Sequence, residues 1–252
     1  MNDDQSTYIA RRRRFSAVAL LMLLLLIYIS LTNLNSLDWF SSGENAPASE
    51  LPLDPDTPYQ LASDALQTLP VADPLSRHGY SRERFSPGWA IVDGCDMRNR
   101  ILQRDLRNII LDADNCQVLA GTLNPDPYTE TEVGFIYGNQ TDTVHIDHIV
   151  AVSDAWRKGA QDLSAAERHT FYNDPLNLIA TSAEANMDKG DADAAHWLPH
   201  PNYRCRYVAR QTAIKLKYLL WITRTELAAM RRVLNTCPLQ VLPIEEPIDA
   251  AG

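Results

Sequence analysis

Val144-His145-Ile146-Asp147-His148-Ile149-Val150 alternates apolar and polar residues up to an Asp-His pair, the pattern of a short strand with chemistry at its end. A second stretch answers it. Asp174-Pro175-Leu176-Asn177 opens a run at 177–180, apolar after Asn177, that reads as another strand, and 183–189 reads as a helix bearing Asn186 and Lys189. Ser182 offers that helix a cap, and Gly190 a stop. Strand, strand and helix follow in order, each with polar side chains at its business end.

N-terminal to this unit, residues 96–106 read as a helix with Ile101, Leu102 and Leu106 on one face. Short strands are expected at 108–111 and 117–123, joined by the Asp-rich turn 112–115, with further strands at 133–137 and 143–146. Ser164 and Glu167 form a capping box opening a helix to Tyr172. Helices at 203–220 and 224–235 close the domain, the latter opened by a second box, Thr223 and Glu226. The expected class is α+β, with a short hairpin region before the central unit.

The chemistry of the central residues is specific. Asp147 is a hard anionic oxygen ligand and Asn186 a neutral one; so sparse a set suits Mg²⁺, which keeps waters and accepts phosphate oxygens. His148, with an ordinary pKa of about 6.5, is largely neutral at pH 7 and can take a proton from water. Adjacent strand residues point to opposite sides, so base and metal would flank a substrate. Asp147 and His148 alone would fit a surface ion pair; Asn177, Asn186 and Lys189 in sequence order shift the reading towards a site. His145 shares a strand face with Asp147 and is an additional ligand, a phosphate contact or a structural residue.

Asp-His on a strand, Asn177 on the next and Asn186-x-x-Lys189-Gly190-Asp191 on the following helix resemble the ββα-metal core of HNH endonucleases, including the HNH domain of CRISPR effectors. The wider context is similar to the secreted or membrane-anchored bacterial HNH family related to the C-terminal part of GmrSD-type restriction enzymes. It comprises Gly94-Cys95-Asp96-x-Arg98-Asn99-Arg100, Ser153-Asp154-Ala155-Trp156 and Tyr207-Val208-Ala209-Arg210-Gln211. This resemblance spans residues 61–238. It implies His148 as general base, Asp147 and Asn186 as ligands of one divalent ion, and Asn177 as the residue that holds the loop and orients His148. Many members carry His where Asn186 stands, so Mg²⁺, with Mn²⁺ next, is expected over Zn²⁺ or Ni²⁺. The implied reaction is hydrolysis of DNA phosphodiesters with little sequence specificity, RNA being a further substrate. Lys189, one turn after Asn186, would hold a phosphate oxygen. The alternative is a non-catalytic nucleic-acid-binding envelope protein on the same scaffold, for instance in DNA uptake.

Four arginines at 11–14 precede an uncharged run at 15–37, which predicts a signal-anchor helix across a membrane with residues 1–14 cytoplasmic. The domain would then lie outside the cytoplasm, periplasmic or cell-surface, or secreted if the anchor is cleaved. Residues 38–60 read as a Pro/Ser/acidic linker, 61–238 as the nuclease domain and 239–252 as a disordered tail. In an oxidising compartment the four cysteines pair in order, Cys95–Cys116 and Cys205–Cys237, the alternative being free buried thiols. The absence of any C-x-x-C pair excludes a zinc ribbon. A formal net charge of −9 argues against coating nucleic acid by bulk charge. A local basic stretch nevertheless contains Arg204, Arg206, Arg210, Lys215 and Lys217, the expected nucleic-acid contacts.

Overall fold

Residues 60–139 and 143–243 are described by the structure, a computed structural model. Helix α1 (Ala62–Thr68) turns Ala62, Ala65 and Leu66 inward. A minimal hairpin follows, β1 (Ile91–Val92) against β2 (Cys95–Asp96), turned through Asp93 and Gly94 at φ 49° and 80°. Helix α2 (Met97–Asp105) starts immediately, because Asp96 accepts the Asn99 N–H at 2.8 Å. Strands β3 (Arg107–Leu111), β4 (Val118–Leu123) and β5 (Val133–Ile136) form an antiparallel sheet in that order.

The central pair stands apart from that sheet. Strand β6 (Val144–His148) runs antiparallel to β7 (Leu178–Ser182), with Asp147 opposite Ile179 and His148 opposite Leu178. Between them lie α3 (Val152–Ala155), continued by a π turn over Trp156–Ala160, and α4 (Ala165–Tyr172) with its capping box formed. Helix α5 (Ala183–Lys189) leaves β7 directly, capped by Ser182, and α6 (Arg204–Lys217) and α7 (Arg224–Leu234) complete the chain of elements.

Two cores result. The smaller one packs Ile101 and Leu102 of α2 with Phe135, Val144, Ile146 and Leu178, so the face of β6 that carries Val144 and Ile146 is dry. Burying residues of this kind contributes roughly 1.5–3 kcal/mol each. The larger core gathers α1, α6 and α7 around Tyr207, Phe171 and Ile214.

A charged cluster sits inside the helical half. Lys158 Nζ lies 2.7 Å from Asp154, 2.7 Å from Asp193 and 2.8 Å from Glu226. Lys215 Nζ approaches Glu226 to 2.8 Å, out of line for a hydrogen bond, and Asp154 to 3.6 Å. All five side chains are buried. Lys158 reaches inward because it and Gly159 (φ 122°) leave helical geometry inside the π turn. Burial opposes the Lys158 charge, but the three carboxylates around it outweigh that cost and raise its pKa.

Burial likewise pushes the Asp193 carboxyl up, but the Lys158 ammonium and hydrogen bonds from Lys158, His196 and Ala195 prevail and hold it below its ordinary value. A lowered folded pKa stabilises the fold above the unfolded value, near pH 3.9, and that contribution fades as pH falls through the folded pKa. The stability gap between wild type and Asp193→Asn, read by urea unfolding, should therefore narrow steadily below about pH 4.

Both disulfides are formed: Cys95–Cys116 ties β2 to the turn before β4, and Cys205–Cys237 ties the start of α6 to the end of α7. No cysteine is left free among the described residues.

The secondary-structure reading needs three revisions. The β1–β2 hairpin and α3 with its π turn carry no clear periodicity and went unpredicted. The helix expected over 203–220 stops at Lys217, where Tyr218 leaves helical geometry and Leu219 takes φ 53°. Beyond 238 the chain stays attached: Val241 bridges Leu61, and Leu242 N–H donates to Gln60 O at 2.9 Å.

The membrane part of the fold class, partner and localisation readings is also corrected. Among the described residues no helix is long and apolar enough to cross a membrane. The expected span at 15–37 lies outside the described residues, as do 1–14 and most of the linker. The single-pass topology, the membrane partnership and the extracytoplasmic location built on that span are therefore not carried forward.

Candidate functional site at the end of strand β6

Strand alternation sorts the polar residues of β6. Val144 and Ile146 enter the smaller core, while His145 and Asp147 face the side covered by α5. On α5, Asn186 and Lys189 are three residues apart and share a face. Both return to β6. Lys189 Nζ lies 2.9 Å from Asp147 Oδ2 and 3.1 Å from Oδ1, and donates to the His148 carbonyl at 2.9 Å. Asn186 Nδ2 stands 3.2 Å from His145 Nδ1.

Asp147 has a further partner. Tyr128, buried and lying between β4 and β5 in sequence, donates its hydroxyl to Asp147 Oδ2 at 2.7 Å. Burial first, and then the Asp147 charge, raise the Tyr128 pKa well above normal, so the phenol stays a donor. Asp147 is thus a buried carboxylate held by an ammonium and a phenol, each a strong donor to an anion.

His148 points the other way. Its ring stacks on Trp89 (centroids 6.0 Å, 10° between planes) and lies 4.6 Å from the Tyr172 ring. Only 4% of the residue is exposed. Nε2 is 2.8 Å from the Tyr172 carbonyl, and a carbonyl only accepts, so Nε2 carries the proton and Nδ1 the lone pair. Burial is the main force that lowers its pKa to about 3, with the Arg82 and Lys189 charges adding to the effect against the Tyr172 hydrogen bond. The imidazole is therefore neutral at pH 7.

Asn177 fastens the turn that follows. It is fully buried; its Oδ1 accepts the Val150 N–H at 2.9 Å, and its backbone carbonyl accepts Ile149 N–H at 2.8 Å. Asn177→Ala leaves the Val150 amide without this partner, and should cost about 1–3 kcal/mol in denaturant unfolding. A loss below about 0.5 kcal/mol would show that the loop is held by other contacts.

The structure therefore brings His145, Asp147, Asn186 and Lys189 together, with His148 behind the strand and Asn177 at its exit. Asp147 is held by Lys189 and Asn186 stands beside His145, as two separate pairs. Tyr128, Trp89 and Tyr172 were missed, because each arrives from a distant part of the chain with no local motif.

Two sequence-based assignments change here. Metal binding as a resident cluster is corrected: among the described residues, no group of three or more His, Cys, Asp or Glu is placed to hold an ion. The expected basic surface is largely committed inside the protein. Lys215 is fully buried, and the Arg210 guanidinium donates to the carbonyls of Leu176 and Leu178 at 2.8 and 3.0 Å. Arg204 donates to the Pro199 carbonyl, Lys217 pairs with Asp174 at 3.0 Å, and Arg206 stands exposed. A basic run on a helix is legible from sequence, but its burial is not.

Comparison with known proteins adds family information. The profile described as GmrSD restriction endonucleases, C-terminal domain, matches residues 96–233. A protein of Arthroderma benhamiae described as an uncharacterized secreted protein is 34% identical over 197 residues, covering 76% of this chain and 93% of that one. No solved structure matches.

Proposed function

Because the chain belongs to the family of the GmrSD restriction endonuclease C-terminal domain, a nuclease-related family, we propose that it hydrolyses phosphodiester bonds of DNA with low sequence specificity. The observation that carries the reading is the end of β6, where Lys189 joins Asp147 to the His148 carbonyl and Asn177 anchors the exit. In this reading His148 is the base: its protonated Nε2 is parked on Tyr172, and Nδ1 accepts the proton of the attacking water. Lys189, fully buried and bonded to Asp147 and the His148 carbonyl, is the positioning residue that fixes the end of β6. His145, beside Asn186, contacts the substrate phosphate.

The donor set tests the implied metal. Asp147 and Asn186 offer one carboxylate and one amide oxygen, too few for a protein cage, and because the Asp147 oxygens accept from Lys189 and Tyr128, a Mg²⁺ or Mn²⁺ ion would displace one of these donors and complete its shell with water and substrate phosphate. Such an ion, when bound, supplies charge stabilisation to the departing oxygen. A plasmid-nicking assay on the whole chain, with Mg²⁺ and with EDTA, tests the proposal; wild-type nicking by Lys189→Met would remove Lys189 from it.

The enclosure of His148 by Trp89 and Tyr172 favours a second reading, a nucleic-acid-binding protein that no longer turns over. It predicts salt-sensitive DNA retention with no nicking at any metal concentration.

A further inference from the structure

Most of the α6 cations are engaged inside the protein, Arg206 excepted, and a further group of positive charge lies beside Tyr172 and Trp156. We infer that Arg82, Arg84 and Arg168 form a phosphate-tracking surface for a nucleic-acid backbone, built by the segment before β1 and the outer side of α4. The inference rests on the nuclease-related reading for its partner class, but not on turnover.

Each guanidinium lies over an aromatic ring: Arg82 at 5.2 Å from the Tyr172 centroid, Arg84 at 5.7 Å and Arg168 at 5.9 Å from the Trp156 centroid. Arg82 Nε also donates to the Tyr172 hydroxyl at 2.9 Å and Arg168 Nε to the Arg84 carbonyl at 3.0 Å; Arg168 is half-buried and bonds the Leu163 carbonyl as well, so Arg82 and Arg84 present the more open charge. The rings and these bonds hold the three side chains as one group. Among the described residues none of the three makes an ion pair, so their charge is not neutralised within the fold. The nearby acids have other engagements: Glu167 caps α4, and Asp191 takes Arg77 and Ser153. Glu83 is exposed beside them and trims the net charge.

Position links this patch to the site. The Tyr172 ring beneath Arg82 packs on His148, and the Tyr172 carbonyl holds the His148 Nε2 proton. Arg82 is the member of the group that connects, through Tyr172, to the end of β6. Arg82 and Arg84 precede the segment matched by the family profile, whereas Arg168 and the rings of Trp156 and Tyr172 lie within it. Interactions of this kind read phosphate rather than bases, which fits low sequence specificity.

The test is the salt dependence of duplex binding by the whole chain, measured by fluorescence anisotropy with EDTA present to prevent cleavage. Arg82→Gln/Arg84→Gln/Arg168→Gln should reduce the slope of log K against log salt by roughly 2–3, at about 0.9 for each phosphate left unneutralised. The weakening should be uniform across unrelated sequences. Arg224→Gln/Arg231→Gln/Arg232→Gln removes the same charge from exposed positions of α7 and its start, and should leave the slope within about 0.5 of wild type. Thermal unfolding of both variants reports any loss of folding, and Arg84→Gln alone, whose ring partner is Trp156 rather than Tyr172, should still lower the slope by about 1. An unchanged slope in both the triple and the single variant, an equal drop in the α7 variant, or no wild-type binding overturns the inference. Nicking by the wild type with an unchanged slope would sink the patch and leave the nuclease reading. A lowered slope with no nicking in Mg²⁺ would do the reverse.

Discussion

His148→Ala should lower the rate of DNA nicking by about 10²–10⁴-fold, the range lost when a general base is removed. The hydrogen bond from Nε2 to Tyr172 leaves Nδ1 as the proton-accepting atom, in a ring that burial keeps neutral at pH 7 but also makes a weaker base than a free imidazole. Because the side chain is buried between Trp89 and Tyr172, the alanine variant also loses packing and strands the Tyr172 carbonyl. His148→Gln keeps part of the volume and a donor, so it separates the two effects: it should fold more stably than the alanine variant and remain as inactive. His145→Ala, on the other face and assigned only a phosphate contact, should lose far less. Wild-type nicking by either His148 variant would end the assignment of His148 as base.

Lys158→Met should destabilise the domain by about 3–5 kcal/mol, the usual consequence of removing one partner from a buried ionic group. The lysine bonds three carboxylates at once, and none of Asp154, Asp193 and Glu226 has solvent to fall back on. The remaining cation, Lys215, serves Glu226 and only distantly Asp154. Urea unfolding measures the loss. Adding Glu226→Gln to Lys158→Met should recover part of it, since one stranded charge is gone; residues sharing a network are not additive. A loss under about 1 kcal/mol would show that the cluster relaxes by taking up protons or water.

The strand–strand–helix unit was legible because its signals are local. Alternation in 144–148, the apolar run at 178–180, the Ser182 cap and the Gly190 stop are each read within a few residues, and the observed β6, β7 and α5 lie within two residues of expectation. Both capping boxes were read by the same means. Opposite orientation of Asp147 and His148 also followed from strand geometry. What fills the space behind His148 did not, since Trp89 comes from before β1 and Tyr172 from the end of α4. The basic run on α6 misled for a related reason: helical periodicity gives a side chain's direction, but not whether another element covers it. Lys215 is covered by α7 through Glu226, and Arg210 by the turn before β7.

From its own order of residues this chain determines an α+β domain with a polar strand–strand–helix unit, since caps, stops and periodicity act over one or two turns of backbone. The tertiary structure alone decided that His148 is enclosed, that Asp147 is held by Lys189 and Tyr128, and which cations reach solvent. Burial and charge pairing depend on groups far apart in the chain, as Lys158 and Glu226 are at 68 residues' separation, and no local pattern encodes their meeting.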